Sequence, residues 1–500
     1  MSLPVLQLHQ ISKRFGSVLA NDQISLALNR GEILALLGEN GAGKTTLMNI
    51  LFGHYQADQG QIQLFGQPAQ ITSPKAAIAA GIGMVHQHFT LADSLSVLDN
   101  VILGTEPLWS WRQNRQAARQ RLQEIAAQFG LKVDPDAQIA DLSVGERQRV
   151  EILKALYRQI KILILDEPTA VLTPQETDAL FATLHQMTEA GLSILLISHK
   201  LQEVLRVSDR VVVLRAGRVV ADLPTATVTA AELAEQMVGR PLPQTQRQAL
   251  PPGSPVLELT ELSVVGSPGL KQVNLSLREA EIVGIAGVSG NGQAALFNLL
   301  SGLASPSQGQ IRLYGEPVSQ LSPAAMVEAG VARIPEDRHR TGLIGDLSIW
   351  ENLILEHHRQ PAFSQRGLLN RQAARQHAAE LIRAFDVRCP SDQVPVRLLS
   401  GGNMQKLILG RGLSQQPRLI LASQPTRGLD LGAVTYVHQQ LLEARSRGAA
   451  ILLISEDLDE LLSLSDRLHV LSQGQLSTSL PIDQITLRDL GLRMAGKSPT

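Results

Sequence analysis

The sequence predicts an α/β fold made of two tandem copies of one domain, each with a largely parallel sheet and helices on its faces. Short apolar runs alternate with helical stretches along the chain, as in strands that are connected by helices. The second half repeats the first, since residues 60–66 (GQIQLFG) return as residues 309–315 (GQIRLYG). The apolar run Ile33–Leu37 is predicted to be a buried strand, which leads through a glycine-rich loop into a helix over Thr45–Phe52.

The repeat keeps its register on both sides of one insertion. The copies lie 249 residues apart at residues 60–66 and 257 residues apart at Ser208, which returns as Ser465. Eight residues are therefore gained between about residues 340 and 398. Such a repeat indicates duplication of a whole domain.

A proline-rich segment separates the two copies. Residues 241–255 lack an apolar period and are predicted to form an extended linker. The first domain then covers residues 1–240 and the second covers residues 256–500. The helical periodicity of residues 90–160 predicts an inserted helical subdomain in the first copy.

The composition excludes several classes of protein. The 45 basic and 46 acidic residues give a formal net charge of −1, so no basic excess marks a partner of nucleic acid. Cys389 is the one cysteine, which excludes disulfides within the chain and predicts a reducing compartment. The apolar runs have the length of strands and are far too short to span a membrane.

The loop after the first buried strand has the spacing G-x-x-x-x-G-K-[ST] of a phosphate-binding loop. Glycines permit positive φ and leave backbone N–H groups that point inward at phosphate oxygens. Lys44 would reach the β/γ-phosphates, and the Thr45 hydroxyl would ligate Mg²⁺. The alternative is a glycine-rich turn that matches by chance. The candidate loop residues are Gly38, Glu39, Asn40, Gly41, Ala42, Gly43, Lys44, Thr45 and Thr46.

Four further motifs follow this loop in order. They are residues 84–89 (MVHQHF), 142–148 (LSVGERQ), 162–168 (ILILDEP) and 195–199 (LLISH). This series resembles the ATP-binding cassette family, and the resemblance covers both copies. It implies two tandem P-loop NTPase domains that bind ATP, each with a parallel core sheet, an antiparallel β subdomain and a helical subdomain.

Five residues outside the loop are candidates for the chemistry. Asp166, at the carboxyl end of an apolar strand, can hold Mg²⁺, and the adjacent Glu167 is the candidate general base. An ordinary acidic strand end is the alternative. The resemblance implies that Gln87 orients water or metal and that His199 contacts the γ-phosphate, although a solvated Gln and a structural His are the alternatives. It also implies that Phe15 stacks on adenine, for which a core Phe is the alternative.

The second copy has lost the residues that face the nucleotide. The counterparts of Lys44 and Thr45 are Gln293 and Ala294. Asp166, Glu167, His199 and Gln87 are replaced, in that order, by Ser423, Gln424, Glu456 and Glu336, and no aromatic residue stands at 264–266 in place of Phe15. Added negative charge near a triphosphate is unfavourable. We therefore expect no hydrolysis at the second copy's own loop.

The signature motif behaves in the opposite way. The second copy carries Ser400, Gly401 and Gly402, and it keeps Asp430 after its strand, whereas the first copy has Val144 in place of Gly401. In the family two cassettes pair head to tail, with each ATP between one phosphate loop and the other signature. That pairing would put every intact motif into one composite site, so we expect one competent site per chain.

Several stretches are most similar to the importer branch for nucleosides and simple sugars that is associated with basic membrane lipoproteins. They are residues 83–89, 150–158, 290–293, 334–340 and 424–430. The resemblance implies two transmembrane permease subunits and an extracytoplasmic substrate-binding lipoprotein as partners. The chain would then lie peripherally at the cytoplasmic face of the inner membrane, and the loops after Gln87 and Glu336 would receive the permeases.

The competing interpretation is a tandem-cassette ATPase that acts on ribosomes or nucleic acid. Such proteins usually keep both sites intact and join them by a long charged helical linker. Here the linker is short and proline-rich, and the net charge argues against a polyanionic partner.

Overall fold

The computed structural model describes residues 4–494 with internal gaps. The gaps are residues 87–88, 106–114, 170–171, 173, 199, 242–246, 249, 289, 319–320, 483–484, 486–489 and 491–492. The chain divides into two compact units, Met1–Leu242 and Pro243–Thr500. Across the described ranges, no helix combines the length and the apolar character needed to cross a membrane.

The first unit alternates strands and helices after an initial hairpin. Its strands are β1 (Leu6–Phe15), β2 (Val18–Leu28), β3 (Ile33–Leu37), β4 (Gln59–Leu64), β5 (Gln67–Ala69), β6 (Ile82–Val85), β7 (Ile162–Asp166), β8 (Ser193–Ile197), β9 (Arg210–Arg215) and β10 (Arg218–Pro224). Its helices are α1 (Lys44–Leu51), α2 (Pro74–Ala79), α3 (Val97–Ile102), α4 (Arg115–Gln128), α5 (Val144–Tyr157), α6 (Pro174–Glu189), α7 (Leu201–Val207) and α8 (Ala230–Val238).

The core sheet of the first unit has the order β10-β9-β3-β8-β7-β6, and β3 runs parallel to both β8 and β9. All five residues of β3 are buried, because both faces of the sheet are covered. Helix α1 and the antiparallel sheet β2-β1-β4-β5 pack on one face, and α3 to α6 pack on the other. The predicted α/β fold is confirmed, and the carboxyl ends of β3, β7 and β8 meet at one edge.

The second unit repeats this order. Its strands are β11 (Pro255–Val264), β12 (Leu270–Arg278), β13 (Ile282–Ala286), β14 (Gln308–Leu313), β15 (Glu316–Pro317), β16 (Val331–Ile334), β17 (Ser364–Gln365), β18 (Leu368–Leu369), β19 (Leu419–Ser423), β20 (Ala450–Ser455), β21 (Arg467–Ser472), β22 (Gln475–Leu476) and β23 (Leu480–Pro481). Its helices are α9 (Gln293–Leu300), α10 (Pro323–Glu328), α11 (Ile349–Ile354), α12 (Arg371–Ala384), α13 (Gly401–Leu413), α14 (Leu431–Ser446) and α15 (Leu458–Leu464). Its core sheet has the order β16-β19-β20-β13-β21-β22, with β23 also paired to β21.

The eight extra residues of the second unit enter at three places. Helices α3 and α11 start 252 residues apart, α4 and α12 start 256 apart, and the N-caps of α5 and α13 lie 257 apart. The first three residues enter between β16 and α11, where the second unit has a π-helical turn at Arg338–Gly342, and the next four enter between α11 and α12, where it has the hairpin β17–β18. The last residue follows α12. Despite these insertions, the helical subdomain of the second unit has helices α11, α12 and α13 in the same order as α3, α4 and α5 of the first.

Residues 247 and 248 of the predicted linker pack on the second unit. Arg247 forms an ion pair with Asp466 at 3.1 Å, and the fully buried Arg445 donates to the Gln248 carbonyl at 2.7 Å. Arg445 also binds Asp466 at 2.7 Å. Residues 247–248 are therefore fastened to the unit that follows them, which the proline-rich composition did not predict.

Candidate functional site

The phosphate-binding loop of the first unit lies between β3 and α1. Gly38 has φ 155°, and a Cβ there would stand 2.4 Å from the Leu214 carbonyl oxygen. Gly43 has φ 102° and is the N-cap of α1, so the loop amides continue directly into the free amides of the first helical turn. Helix α1 begins at Lys44, one residue before the predicted start. The strand–loop–helix context that the motif requires is present.

The Lys44 side chain lies inside the phosphate-binding loop and bonds to the start of that loop. It is only 8% exposed, and its Nζ donates to the Gly38 carbonyl at 2.6 Å and to the Glu39 carbonyl at 3.0 Å. Thr45, next along α1, is exposed, and Ala42 within the loop is buried. The ammonium group is thus held at the loop, and the hydroxyl is open to solvent.

The end of β7 brings two carboxylates to the same edge of the sheet. Burial raises the pKa of the Asp166 carboxyl, the neighbouring Glu167 carboxylate raises it further, and Lys44 opposes both effects. Glu167 has φ 48°, and its amide donates to the Ile197 carbonyl of β8 at 2.9 Å. A partly buried carboxylate with a raised pKa is stabilised by a bound cation, so Asp166 suits a metal ligand.

The strained backbone at Glu167 is a feature of the fold and not of the acid. Its counterpart Gln424 has the same φ of 48°, and its amide donates to the Ile454 carbonyl at 2.8 Å. Both copies therefore keep the turn that aims this side chain, although only the first copy keeps a carboxylate there. Ser423, the counterpart of Asp166, is buried at the end of β19.

Phe15 lies at the end of β1 and is 42% exposed, which contradicts the alternative of a core Phe. The adjoining strand β2 touches the phosphate loop, since the buried Asn21 amide nitrogen donates to the Gly43 carbonyl at 3.0 Å. This contact brings the β1–β2 turn to the side of the loop. Gln87 and His199 lie outside the described residues, so their predicted roles stay predictions.

In the second unit the corresponding loop is partly filled by its own side chain. Gln293 donates through Nε2 to the Val288 carbonyl at 2.8 Å, much as Lys44 donates to Glu39. Unlike the lysine, Gln293 also accepts from the Asn291 amide at 3.1 Å. One of the loop amides is therefore already satisfied by the residue that replaced the lysine.

The signature turn of the second unit presents an exposed serine. Ser400 is the N-cap of α13, but its side chain makes no hydrogen bond to the first-turn amides that the structure describes there. Its Oγ accepts from the Asn403 side chain at 2.9 Å. A Cβ on Gly402 would lie 3.4 Å from the Cβ of Ala433, whose amide donates to Asp430 at 2.8 Å. The predicted residues 400–402 and 430 thus belong to one packed surface.

The signature turn of the first unit is closed by a capping box. The Ser143 hydroxyl donates to the Glu146 carboxylate at 2.8 Å, the Ser143 amide donates to it at 2.9 Å, and the Glu146 amide donates back to Ser143 Oγ at 3.3 Å. The hydrogen bonds from Ser143 lower the pKa of the Glu146 carboxyl, which keeps it ionised. The spacing S-x-x-E at residues 143–146 is the sequence signal that could have predicted this cap. In the second unit Asn403 is the counterpart of Glu146.

Besides the Glu146 cap, sequence analysis also missed Arg338. It is 9% exposed, and its guanidinium donates to the Gly401 carbonyl at 3.4 Å and to the Arg427 carbonyl. Arg427 in turn pairs with Glu336. Burial lowers the pKa of Arg338. This arginine joins the signature turn to the segment that leads to Asp430, across 63 and 89 residues of sequence.

Comparisons with known proteins agree with this geometry. The ABC transporter family matches residues 21–170 and 270–427. The nucleoside import ATP-binding protein of Lactococcus lactis subsp. cremoris is 44% identical over 98% of this chain and 98% of its own length. The guanosine import ATP-binding protein of Bacillus subtilis is 45% identical over 99% of this chain and 98% of its own length.

A solved structure shares the fold over both units. An archaeal ribosome recycling factor, solved in complex with an archaeal ribosomal stalk protein, superposes with a TM-score of 0.62 at 19% identity and covers 94% of this chain and 90% of its own. The family profile includes the phosphate loop and the end of β7 in the first unit, and the signature turn in the second. The chain therefore belongs to the ABC transporter family, as an ATPase with two ATP-binding cassettes in tandem.

Proposed function

We propose that this chain is the ATP-hydrolysing subunit of an importer for nucleosides or simple sugars. Two of its relatives are named for the import of nucleosides and of guanosine. A third, from Haloferax volcanii, is named for glucose import and is 44% identical over 99% of this chain. These names support an importer and span both solute classes.

The first unit carries the groups that hydrolysis needs. The loop amides and Lys44 would hold the β/γ-phosphates of ATP, and Glu167 would take the proton of the attacking water. His199 would contact the γ-phosphate, and Phe15, with its exposed ring, would stack on adenine.

The donor set of this unit fits Mg²⁺. Thr45 offers an exposed hydroxyl, and Asp166 offers a partly buried carboxylate whose pKa is raised. Hard oxygen ligands of this kind are those that Mg²⁺ prefers. When bound, the ion would neutralise charge on the phosphates. Gln87 is the third predicted ligand and stays a prediction.

We further propose that one composite site per chain is competent. ATP on the first unit's loop would meet Ser400, Gly401, Gly402 and Asp430 of a second unit. The carrying observation is the contrast between the two signature serines: the Ser143 hydroxyl donates to an ionised carboxylate, whereas the Ser400 hydroxyl accepts from the neutral Asn403 amide. A carboxylate at that position would repel the γ-phosphate, so the second signature is the one suited to ATP.

The proposed partners are two transmembrane permease subunits and a substrate-binding lipoprotein outside the membrane. The first unit offers a cavity of about 330 Å³ between its core and its helical subdomain, beside the segment that leads to Gln87. His86, Glu151 and Lys154 are among its lining residues. A permease helix received there would hold the chain peripherally at the cytoplasmic face of the membrane.

Co-purification tests the partner class. The tagged chain should carry permease subunits from detergent-solubilised membranes of its host. Recovery of ribosomes or nucleic acid instead would favour the competing class and contradict the importer. The balanced charge of 45 basic and 46 acidic residues favours the permeases.

Paired substitutions test the hydrolytic site. Glu167→Gln should keep Mg-ATP binding and lose turnover by about a hundredfold or more, because only the base is removed. Lys44→Ala should weaken binding and turnover together. The matched control is Gln293→Ala, which alters the equivalent position of the second unit and should leave both nearly unchanged. Near-normal ATPase in Glu167→Gln or Lys44→Ala, assayed with the permeases, would contradict the assignment.

A further inference from the structure

A second aromatic ring packs against the ring that is proposed to bind adenine. The ring centroids of Phe15 and Tyr55 are 5.3 Å apart with an interplanar angle of 71°, which is an edge-to-face contact. Both side chains stay accessible, at 42% and 41% exposure. The Lys13 ammonium lies 5.6 Å from the Phe15 centroid. Phe15 is therefore held by two neighbours while part of its ring remains open.

An ion pair fixes the backbone beneath these rings. Lys13 pairs with Asp58 at 2.7 Å, and the Arg14 amide donates to the other oxygen of the same carboxylate at 2.7 Å. The Asp58 amide in turn donates to the Ser12 carbonyl at 2.8 Å. The end of β1 is thus tied to the segment that follows α1 and that carries Tyr55.

The second unit is an internal comparison for this cluster, because it keeps the strand pairing as far as Val264, the counterpart of Lys13, and replaces every side chain of the cluster. Ser307 donates to the Ser263 carbonyl at 2.8 Å, as Asp58 does to Ser12, and Ser263 pairs with Gln308 as Ser12 pairs with Gln59. On this register the four side chains are replaced. Lys13, Phe15, Tyr55 and Asp58 become, in order, Val264, Gly266, Ala304 and Ser307.

A neighbouring aromatic residue shows that this loss is selective. Phe65 is 43% exposed and lies under Lys161, with 5.0 Å between the ammonium and the ring centroid. Its counterpart Tyr314 keeps the arrangement, with Arg418 at 3.9 Å from the ring. The second unit therefore keeps an aromatic residue under a cation at this neighbouring position, although Tyr314 is half-buried. The cluster around Phe15 disappears together with the lysine and hydroxyl of the phosphate loop.

The cluster also adjoins the elements that frame the phosphate loop. The Tyr55 amide donates to the Asn49 carbonyl of α1 at 3.1 Å, and α1 starts at the loop. The strand that pairs with β1 contacts Gly43 through Asn21. Both rings are thus attached to structure that is shared with the triphosphate site.

We propose that Tyr55 is a positioning residue for the base of a purine nucleoside triphosphate. Its edge-to-face contact fixes the orientation of the Phe15 ring, whose exposed part is available to the base, and the pair of Lys13 and Asp58 fixes the strand end. The inference rests on the proposed role of Phe15 in adenine stacking. Because Tyr55 acts on the base alone, its removal should leave recognition of the phosphates intact.

Titration calorimetry of the purified full-length chain tests this with two ligands, Mg-ATP and the base-free Mg-tripolyphosphate. Tyr55→Ala should weaken ATP binding by about threefold to tenfold, the usual range for an aromatic pair, and leave tripolyphosphate binding unchanged. Tyr55→Phe should restore ATP binding. Phe65→Ala is the matched control and should bind both ligands as the wild type does.

A double substitution separates positioning from a general effect on folding. Phe15→Ala should weaken ATP binding by about tenfold or more, as expected for a lost base–aromatic stack. Adding Tyr55→Ala to Phe15→Ala should cause no further loss, since the residue acts through the missing ring.

Three results would overturn the inference. They are wild-type ATP affinity in Tyr55→Ala, equal weakening of tripolyphosphate, and an additive double variant. If Phe15→Ala itself binds ATP normally, the proposed adenine contact of Phe15 fails as well. If only Tyr55→Ala binds normally, the positioning role of Tyr55 fails and the adenine contact stands.

Discussion

Replacing Asn403 with glutamate should inactivate the proposed composite site, because it rebuilds in the second unit the cap that occupies the first unit's signature serine. Asn403 and Ser400 stand 257 residues after Glu146 and Ser143. In the first unit the carboxylate accepts from the serine hydroxyl at 2.8 Å and from the serine amide at 2.9 Å. A glutamate at position 403 in this geometry would draw the Ser400 hydroxyl away from the γ-phosphate.

Two losses contribute to the expected magnitude. Removing one donor aimed at transition-state charge costs about a hundredfold in rate. Two like charges about 4 Å apart also repel by about 4 kcal/mol at the effective dielectric of a protein surface. Salt and side-chain rearrangement reduce the charge repulsion, so we take the loss of the donor alone as the lower bound on the loss of rate. The expected loss is at least about a hundredfold, or about 2.7 kcal/mol of transition-state stabilisation.

The assay is steady-state ATPase of the transporter assembled with its permeases at saturating Mg-ATP. Asn403→Gln is the matched control, because glutamine has the length of glutamate without its charge. Both variants disturb the bond from the Arg388 amide to Asn403, which is 2.8 Å long. Glu146→Asn is the reciprocal control, which should lose a helix cap worth about 1 kcal/mol and keep its ATPase rate. An inactive Asn403→Gln or an inactive Glu146→Asn would refute the reasoning.

Three further predictions follow from the same geometry. Gln293→Lys should not add a second hydrolytic event, because Ala294 still provides no hydroxyl for the metal; a second ADP per chain in a single-turnover assay would contradict this. Asp166→Asn should raise the melting temperature of the ATP-free protein at neutral pH, since burial and Glu167 raise the pKa of the Asp166 carboxyl. The protonated Asp166 carboxyl makes its full contribution to folding stability below its unfolded pKa of 3.8, and this contribution is lost as the pH rises through the raised folded pKa. The melting-temperature gain of Asp166→Asn should therefore vanish near pH 3.8. Arg338→Gln should lower kcat by about tenfold and leave the Kd for ATP unchanged, because it loosens the signature turn and not the phosphate loop; a weakened Kd would contradict this role.

Local patterns carried most of what the sequence could predict. The run Ile33–Leu37 is the central strand with the bounds expected from its apolar length, and the loop after it has the predicted glycines. Asp166 ends a strand and Glu167 follows it, because an apolar run of four residues, 162–165, stops there. Such features depend on neighbours in sequence, and periodicity and spacing therefore find them.

Contacts between distant residues were not predictable in the same way. Tyr55 reaches Phe15 across 40 residues, and Arg338 reaches Arg427 across 89 residues. Neither has a periodicity that points to its partner. The cap between Ser143 and Glu146 is local and could have been found from its spacing, yet its meaning depends on the contrast with Asn403.

The most direct measurement of the central claim is the number of nucleotides trapped per chain by orthovanadate in the assembled transporter. Vanadate with Mg-ADP resembles the transition state of phosphoryl transfer, so it is retained only where a site can complete hydrolysis. We predict one trapped nucleotide per chain in the wild type and none in Lys44→Ala. Two trapped nucleotides per chain, or one that survives Lys44→Ala, would contradict a single competent site built on the first phosphate loop.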